Sequence, residues 1–319
     1  MRLSEMSRTK SIFIAFLVVI FAFVVTLPLY GSSYYLSLLM TIFLYTILTV
    51  AWSMFSAPTG YMSLGSAAFL GIGAYTTAVL GKHLPLPLVI IAGGIISLAF
   101  ALLVGVSCLR LRGVYFAIFT FGLTELILNS VLFYEIEVNK TVGRLVVSLA
   151  QQTVYYSMFA ILIVLLLTVF LLGRSRYGLA LRSIGQAEEA AAHTGVNVNA
   201  VKVYTFALSA FFMGVTGAII VTQWSYVDAR IAFNMFYSFM PVLMAIFGGL
   251  PYVPGQVLGA VALTLIEESL ALRFPYHYRI LFGVLIVAFI LFFPAGVLGL
   301  FESAIKRLRR SSGRQYANP

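Results

Sequence analysis

The chain has 319 residues, of which 61% are hydrophobic and only 9% are charged, and its mean hydropathy is +1.03. A soluble domain carries about 25% charged residues, so this composition excludes a soluble globular protein, and the high hydrophobicity excludes a disordered one. The net charge of +10 comes from 20 lysines and arginines against 10 acidic residues. In a membrane protein such an excess indicates basic cytoplasmic loops, so we expect no nucleic-acid partner.

Apolar stretches of about 20 residues, the length that crosses a bilayer as a helix, recur along the chain. Clear spans are predicted at residues 11–29, 35–55, 86–109, 114–133, 154–172, 203–222 and 279–300. Three shorter or interrupted stretches lie at 60–80, 236–250 and 254–272. The sequence therefore predicts an all-α polytopic membrane protein. It forms a single transmembrane domain over residues 1–319 with about ten transmembrane or partly re-entrant helices, and eight full crossings are the alternative.

The first span, 11–29, follows basic residues and so resembles a signal peptide. It has no small-x-small cleavage site at its end and is long enough to cross the bilayer, which favours a retained helix. With the N-terminus inside, 14 lysines and arginines, including Lys202 and the cluster Lys306–Arg314, fall in inner segments, and 6 fall in outer segments. The positive-inside rule then predicts that both termini are cytoplasmic.

Small and helix-breaking residues interrupt the apolar pattern in two places, one in each half of the chain. The first group is Gly60, Ser63, Gly65, Ser66, Gly71 and Gly73. The second group is Gly248, Gly249, Pro251, Pro254, Gly255 and Gly259. Paired broken helices in the two halves of a transporter indicate a pseudo-inverted repeat around a path near the membrane midplane. Small residues that merely allow close helix packing are the alternative.

Glu125 lies near the middle of the predicted span 114–133, where an ionised carboxylate costs at least ~2.5–3.5 kcal/mol. Asn129 follows at i+4, so the two residues share a helix face. A hydrophilic path, a polar lock between helices, and a protonated or locally hydrogen-bonded side chain would each explain them.

Residues 173–202 form the longest polar segment on the predicted inner side. The periodicity from Leu181 to His193 predicts one amphipathic helix, and Gly195 is expected to end it in a left-handed conformation. Arg182, Gln186, Glu189 and His193 would share one face, and Leu181, Ile184, Ala187 and Ala191 would lie near the other. A helix at the lipid interface would carry large apolar anchors. The two adjacent acids and three alanines at Glu188–Ala192 instead favour a helix that fits a groove on another protein.

The sequence offers no sign of an enzyme. The three histidines are scattered over both predicted sides, and no phosphate-binding G-x-x-x-x-G-K-[ST] loop is present. We therefore expect no catalytic residue, cofactor or metal, and an energy source on another polypeptide.

Four stretches of the chain resemble motifs of one protein family, and they occur in the same order as in that family. Glu189-Ala190-Ala191, three residues and Gly195 resemble the EAA loop of ABC-importer membrane subunits. The stretches Gly60–Tyr75, Gly248–Ala260 and Pro294–Leu300 resemble three sequence blocks of branched-chain amino acid permeases. Together, from about Trp52 to Leu300, the chain resembles the LivM-type subunit of the LivH/LivM family.

The resemblance implies the permease subunit of an ABC importer for branched-chain or related amino acids in the bacterial cytoplasmic (inner) membrane. Its partners would be two cytoplasmic ABC ATPases, a second permease (LivH-like or a copy of itself), a periplasmic or extracellular binding protein and membrane lipid. The ATPase-coupling residues would be Arg182, Gln186, Glu188, Glu189, Ala190, Ala191 and Gly195 in the 173–202 loop. Candidates for the translocation path are Ser63, Gly65, Ser66, Gly71, Gly73, Glu125, Asn129, Gly248 and Gly249.

The chain departs from the family pattern at several positions. The family often has histidine where this chain has Ser66, and an acidic residue in a different register from Glu125. These differences leave urea, short amides or sugars as alternative cargoes. A proton-coupled secondary transporter that uses Glu125 is a further alternative, and a structural membrane protein without a path is another.

Overall fold

The computed structural model describes residues 25–28, 30–292, 296, 297 and 299. The predicted span 11–29 and the basic cluster Lys306–Arg314 therefore lie largely or wholly outside the described residues. The longer helices are α1 (Ser33–Thr59), α2 (Ser66–Leu80), α3 (Leu86–Cys108), α4 (Val114–Glu137), α5 (Gln151–Arg174), α6 (Arg176–Gln186), α8 (Val198–Ile220), α10 (Phe236–Gly248), α11 (Val253–Arg273) and α12 (Tyr278–Phe292). Two short helices are α7 (Glu188–His193) and α9 (Ala229–Ala232), and a 3₁₀ turn, Val221–Gln223, extends α8.

Seven helical segments of the described part are long and apolar enough to cross a membrane: Ser33–Thr59, Leu86–Cys108, Val114–Glu137, Gln151–Arg174, Val198–Gln223, Ala229–Gly248 and Val253–Arg273. Each overlaps a stretch for which a span or a broken span is predicted. The prediction of a polytopic helical membrane protein is thus confirmed in its class.

Two helices form the centre of the bundle. In the apolar stretches of α1 and α8, 83% and 89% of the chain is buried within the protein. The corresponding shares are 22% for α4 and 17% for α5. Helix α8 packs against α3 and α2, whereas α1 packs against α5, α10 and α11. Outer helices expose large aliphatic side chains such as Leu126 and Leu167, as helices that face lipid do.

Close backbone contact explains part of the first glycine group. A Cβ atom at Gly73 in α2 would overlap the carbonyl of Gly214 in α8, and one at Gly71 would overlap the ring of Phe233. Small residues thus let α2 approach its neighbours closely. This geometry supports the packing alternative for Gly71 and Gly73.

Both predicted helix interruptions are confirmed. Helix α1 ends at Thr59, and residues 60–65, the 60–65 segment, are non-helical until α2 begins at Ser66. Helix α10 ends at Gly248, and Gly249 takes a φ of 110° before α11 begins at Val253. The amide of Ala67 donates a hydrogen bond of 3.0 Å to Ser238 Oγ near the start of α10, so the start of α2 is bonded directly to α10.

The sequence did not predict a short β-ribbon. Residues Arg144–Leu145 (β1) pair antiparallel with Tyr226–Val227 (β2), with Arg144 opposite Val227. We call this side of the bundle the ribbon end. The opposite side, which carries the 60–65 segment, α6 and α7, is the loop end.

Candidate functional site

The 173–202 loop folds as two helices instead of the single predicted one. Helix α6 ends at Gln186, Ala187 is extended (φ −158°, ψ 101°), and α7 runs from Glu188 to His193. The prediction of a continuous helix over Leu181–His193 is therefore wrong at Ala187, which is also exposed instead of lying on the buried side. At the start of α6, Ser175 Oγ caps the helix by accepting a hydrogen bond from the Gly178 amide.

Apolar packing accounts for the break. Leu181 and Ile184 of α6, Ala191 of α7, and Val198 and Val201 of α8 form one small buried cluster. A straight helix would hold all of its apolar residues on one stripe, whereas the turn at Ala187 lets α6 and α7 each place a buried face on the start of α8. Periodicity alone could not show this, because the packing partner lies outside the helix.

Gly195 ends α7 as predicted. Its φ is +86°, a left-handed conformation that glycine adopts without a steric cost. The amides of Thr194, Gly195 and Val196 bond back to the carbonyls of α7. The end of α7 is thereby fixed, and the short helix projects from the loop end with a defined direction.

The seven predicted coupling residues divide into two groups. Arg182, Gln186, Glu189, Ala190 and Gly195 are exposed. Ala191 is buried in the apolar cluster, and the Glu188 side chain turns into the protein. Among the described residues, Glu189 makes only an exposed 3.7 Å contact with Arg112, a pair of the kind that contributes little stability. The exposed group is free to meet another molecule.

Glu188, whose side chain is 23% exposed, is part of a largely buried polar cluster with Lys202, the fifth residue of α8. The Lys202 side chain is 1% exposed, and its ammonium donates hydrogen bonds to Glu188 Oε1 at 2.8 Å, Tyr61 Oη at 3.1 Å and the Leu109 carbonyl at 3.3 Å. The Tyr61 hydroxyl donates to Glu188 Oε2 at 2.8 Å. An ammonium has three protons, and each of them has an acceptor here. We call these four residues the Lys202 cluster.

The charges in the cluster support one another. Partial burial raises the pKa of the Glu188 carboxyl, but hydrogen bonds from Lys202 and Tyr61 and the charges of Lys202 and Arg112 outweigh it, so the pKa lies below the usual value for glutamate. Burial and the bond to Glu188 raise the pKa of the Tyr61 hydroxyl, against the opposing influence of Lys202. At neutral pH the cluster therefore contains an ionised Glu188 and a neutral Tyr61 that donates its proton.

Side chains from three helices hold the 60–65 segment and the start of α2. Trp52 Nε1 in α1 donates to the Ser63 carbonyl at 2.7 Å, and Thr120 Oγ1 in α4 accepts from the Leu64 amide at 2.8 Å. Ser238 of α10 bonds the Ala67 amide, as described above. Non-helical backbone within a membrane protein requires such partners, because lipid offers none. The segment is thus bonded to α1 and α4, and through Tyr61 to α7 and α8.

The nine candidates for the translocation path fall into two groups. The seven that are buried inside the protein are Ser63, Gly65, Ser66, Gly71, Gly73, Gly248 and Gly249. The buried Ser66 hydroxyl has no hydrogen-bond partner among the described residues.

Glu125 and Asn129 lie apart from that group, on the outer helix α4. Asn129 Nδ2 donates at 2.8 Å to the backbone carbonyl of Glu125 and not to its carboxylate. This bond does not involve the Glu125 side chain, so the three explanations for Glu125 stay predictions.

A cavity of about 670 Å³ opens between the 173–202 loop and the second broken region. Its walls include Ser53 and Pro58 of α1, Arg182 and Gln186 of α6, and Gln256 of α11. Helix α6 reaches α1 closely, since a Cβ atom at Gly185 would overlap the Pro58 carbonyl. Helices α6 and α7 therefore lie next to the two broken regions. Helix α6 borders the second region across this cavity, and α7 is bonded to the first through Tyr61.

Sequence reasoning missed three residues of these networks. In the sequence, Lys202 is one of the basic residues that indicate orientation, and Tyr61 is one residue of the glycine-rich stretch Gly60–Tyr75. A lysine within an apolar helix requires a partner, and that requirement could have pointed to Glu188. At the ribbon end, the buried Glu135 carboxylate accepts from Tyr75 Oη at 3.2 Å and from the Gly143 amide at 3.0 Å. Nothing in the local pattern distinguished it from an exposed acid.

The fold and the loop end together define a multi-pass helical membrane protein with two interruptions between its helices and an exposed helical loop. The sequence model of the family described as "Branched-chain amino acid transport system / permease component" matches residues 34–290. The chain belongs to this family.

Three relatives illustrate the range of similarity. The high-affinity branched-chain amino acid transport system permease protein LivM of Escherichia coli (strain K12) is 24% identical over an alignment of 326 positions that covers 91% of this chain and 76% of LivM. The permease protein BraD of Pseudomonas aeruginosa, from a system of the same description, is 30% identical over 135 residues, 42% of this chain and 43% of BraD. The probable branched-chain amino acid transport permease protein LivH of Methanocaldococcus jannaschii is 24% identical over 169 residues, 50% of this chain and 52% of LivH. No solved structure matches the chain.

Proposed function

We propose that the chain is the membrane-spanning permease subunit of an ABC importer for branched-chain or related amino acids. Helix α7 carries the proposal: a short projecting helix with the exposed pair Glu189–Ala190, ended by the left-handed Gly195. Its exposed side chains are either small or polar and include no large apolar anchor, which suits a cleft on a protein better than a lipid surface. The names of the relatives support the cargo class.

In this proposal two cytoplasmic ATPases bind the α6–α7 loop, and a second permease subunit, LivH-like or a copy of the chain, completes the path. A binding protein delivers the amino acid at the ribbon end. Both termini and the loop end then face the cytoplasm of a bacterial inner membrane. ATP-driven closure of the ATPases pushes on α7 and alternates access to a path beside the two broken regions, where Ser63, Ser66 and Gly249 lie.

The test is a Glu189→Ala variant, reconstituted in liposomes with the two partner ATPases that co-purify with the wild-type chain. We expect the affinity for the ATPases to fall about tenfold, the effect of losing one interface contact of about 1.4 kcal/mol, and ATP-dependent leucine uptake to fall with it. Melting temperature and insertion should stay normal because the contact of Glu189 with Arg112 is exposed and contributes little stability. Glu137→Ala, which removes an exposed acid at the ribbon end, is the matched control.

Two outcomes would contradict the proposal. If Glu189→Ala takes up leucine at the normal rate, the proposal that α7 binds the ATPases is wrong. Uptake by the wild-type chain without ATP, driven by a pH gradient, would favour the proton-coupled alternative with Glu125. Competition by unlabelled valine, urea or a simple sugar identifies the cargo class in the same vesicles.

A further inference from the structure

The two adjacent glutamates of α7 lie in opposite surroundings. The Glu189 side chain is 83% exposed, whereas Glu188 is bound from two directions inside the protein. If docking were the role of both, both would face solvent. Glu188 instead connects α7 to elements that lie below it in the bundle.

The Lys202 cluster joins four parts of the chain at one point. Glu188 belongs to α7, Lys202 to α8, Tyr61 to the 60–65 segment, and the Leu109 carbonyl to the end of α3. The carbonyl end of a helix carries partial negative charge, so the end of α3 adds to the stabilisation of the ammonium. The ammonium also lies 4.6 Å from the centroid of the Tyr61 ring.

Aromatic packing continues from Tyr61 into the bundle. Its ring meets Phe116 of α4 edge to face at 5.5 Å, and Phe116 lies 6.0 Å from Phe206 of α8. Phe206 in turn contacts Phe69 of α2 at 5.4 Å. These rings are buried and close-packed, so a displacement of Tyr61 would press on the neighbouring helices.

We propose that Lys202 is a positioning residue that, with Glu188 and Tyr61, ties α7 to the 60–65 segment so that the two move as one body. The inference rests on the proposed function, since the ATPases supply the movement of α7. Glu189 contacts the ATPase, and Glu188 transmits the movement of α7 to the 60–65 segment. The hydrogen bonds of Tyr61 carry the movement to the backbone of the 60–65 segment, which includes Ser63.

The experiment uses the complete transporter with its ATPases, in a background where Cys108, the single cysteine, is replaced. Nitroxide labels at His193 in α7 and at Met62 in the 60–65 segment, both exposed, are each paired with a label at the exposed Lys82 of the ribbon end. Double electron–electron resonance measures both distances with and without a non-hydrolysable ATP analogue. Transport per ATP hydrolysed is measured in parallel.

Tyr61→Phe is the first variant, because it keeps the ring packing and the Lys202–Glu188 pair but removes the hydroxyl that joins them to the segment. Lys202→Met combined with Glu188→Gln is the second, because it removes both charges and leaves neither one buried alone. Tyr115→Phe, an exposed tyrosine at the start of α4, is the control.

In the wild type and the control, the analogue should change both distances. In both variants we expect the His193 distance to change as before, the change at Met62 to disappear, and transport per ATP to fall about tenfold. A merely structural role would lower stability without separating the two distances. The inference is overturned if Met62 still follows His193 in Tyr61→Phe and in the double variant. If the wild-type chain does not bind the ATPases at all, the proposed function fails, and this inference fails with it.

Discussion

At the scale of single residues, the loop end depends on a lysine that is almost completely buried. Lys202 is tolerated because three acceptors bind its three protons and one of them, Glu188, carries the opposite charge. A buried pair of this kind contributes little net stability compared with apolar residues, whereas the loss of one partner is costly. Its value to the protein is therefore geometric: it fixes where α7 and Tyr61 lie relative to each other.

The cluster predicts how stability depends on pH. The pKa of Glu188 is lower in the folded protein than in the unfolded chain. Its contribution to the free energy of unfolding is therefore fully present above the ordinary pKa of about 4.3 and is lost as the pH falls through the lower folded value. We expect the melting temperature of the detergent-solubilised wild type to fall across this range more steeply than that of Glu188→Gln. If the melting temperatures of the two proteins fell equally as the pH is lowered, the prediction that the cluster holds Glu188 would be wrong.

At the scale of elements, helix positions followed from hydrophobic length, and the breaks followed from glycine and proline. The spans predicted at 35–55, 86–109 and 114–133 correspond to α1, α3 and α4, each within a few residues at both ends. The break at Ala187 did not follow, because the local residues are good helix formers. It arises where α6 and α7 must each pack against α8, a constraint that local propensity does not contain.

The close approach of α2 and α8 makes a second prediction. Glycine to alanine in an exposed helix interior normally stabilises by about 1 kcal/mol. At Gly73 the added Cβ atom would overlap the Gly214 backbone, so we expect Gly73→Ala to destabilise the protein by about 1–3 kcal/mol.

Gly122→Ala in α4 is the matched control, because a Cβ atom there meets no atom of the described part of the chain within 4 Å. It should raise the melting temperature or leave it unchanged. The prediction fails if both alanine variants melt above the wild type, since α2 and α8 would then have room to separate.

At the scale of the whole molecule, the two ends of the bundle differ in construction. The loop end carries the exposed part of α7 and the buried Lys202 cluster. The ribbon end is held by β1, β2 and the buried carboxylate of Glu135, to which Arg144 approaches within 4.0 Å. This asymmetry suits a protein with a different partner on each side of the membrane.

The proposed orientation can be measured with single cysteines at Lys82, in the turn before α3, and at His193, in α7; both positions are exposed. In intact cells a membrane-impermeant maleimide should label Lys82→Cys at least about tenfold faster than His193→Cys, because the bilayer excludes charged groups. After permeabilisation both should react. Fast labelling of His193→Cys in intact cells would place the loop end outside, and ATPases in the cytoplasm could not reach it.

The sequence by itself determined the membrane class, the approximate helix positions, the two broken regions and the loop that carries Glu189 and Gly195. These features depend on apolar length and on backbone preferences, which are local properties of the chain. Only the tertiary structure decided which glycines serve close packing, why α6 and α7 separate, and which of two adjacent glutamates faces inward. The bonds among Glu188, Lys202 and Tyr61 join residues up to 141 positions apart, and no local pattern encodes such a meeting.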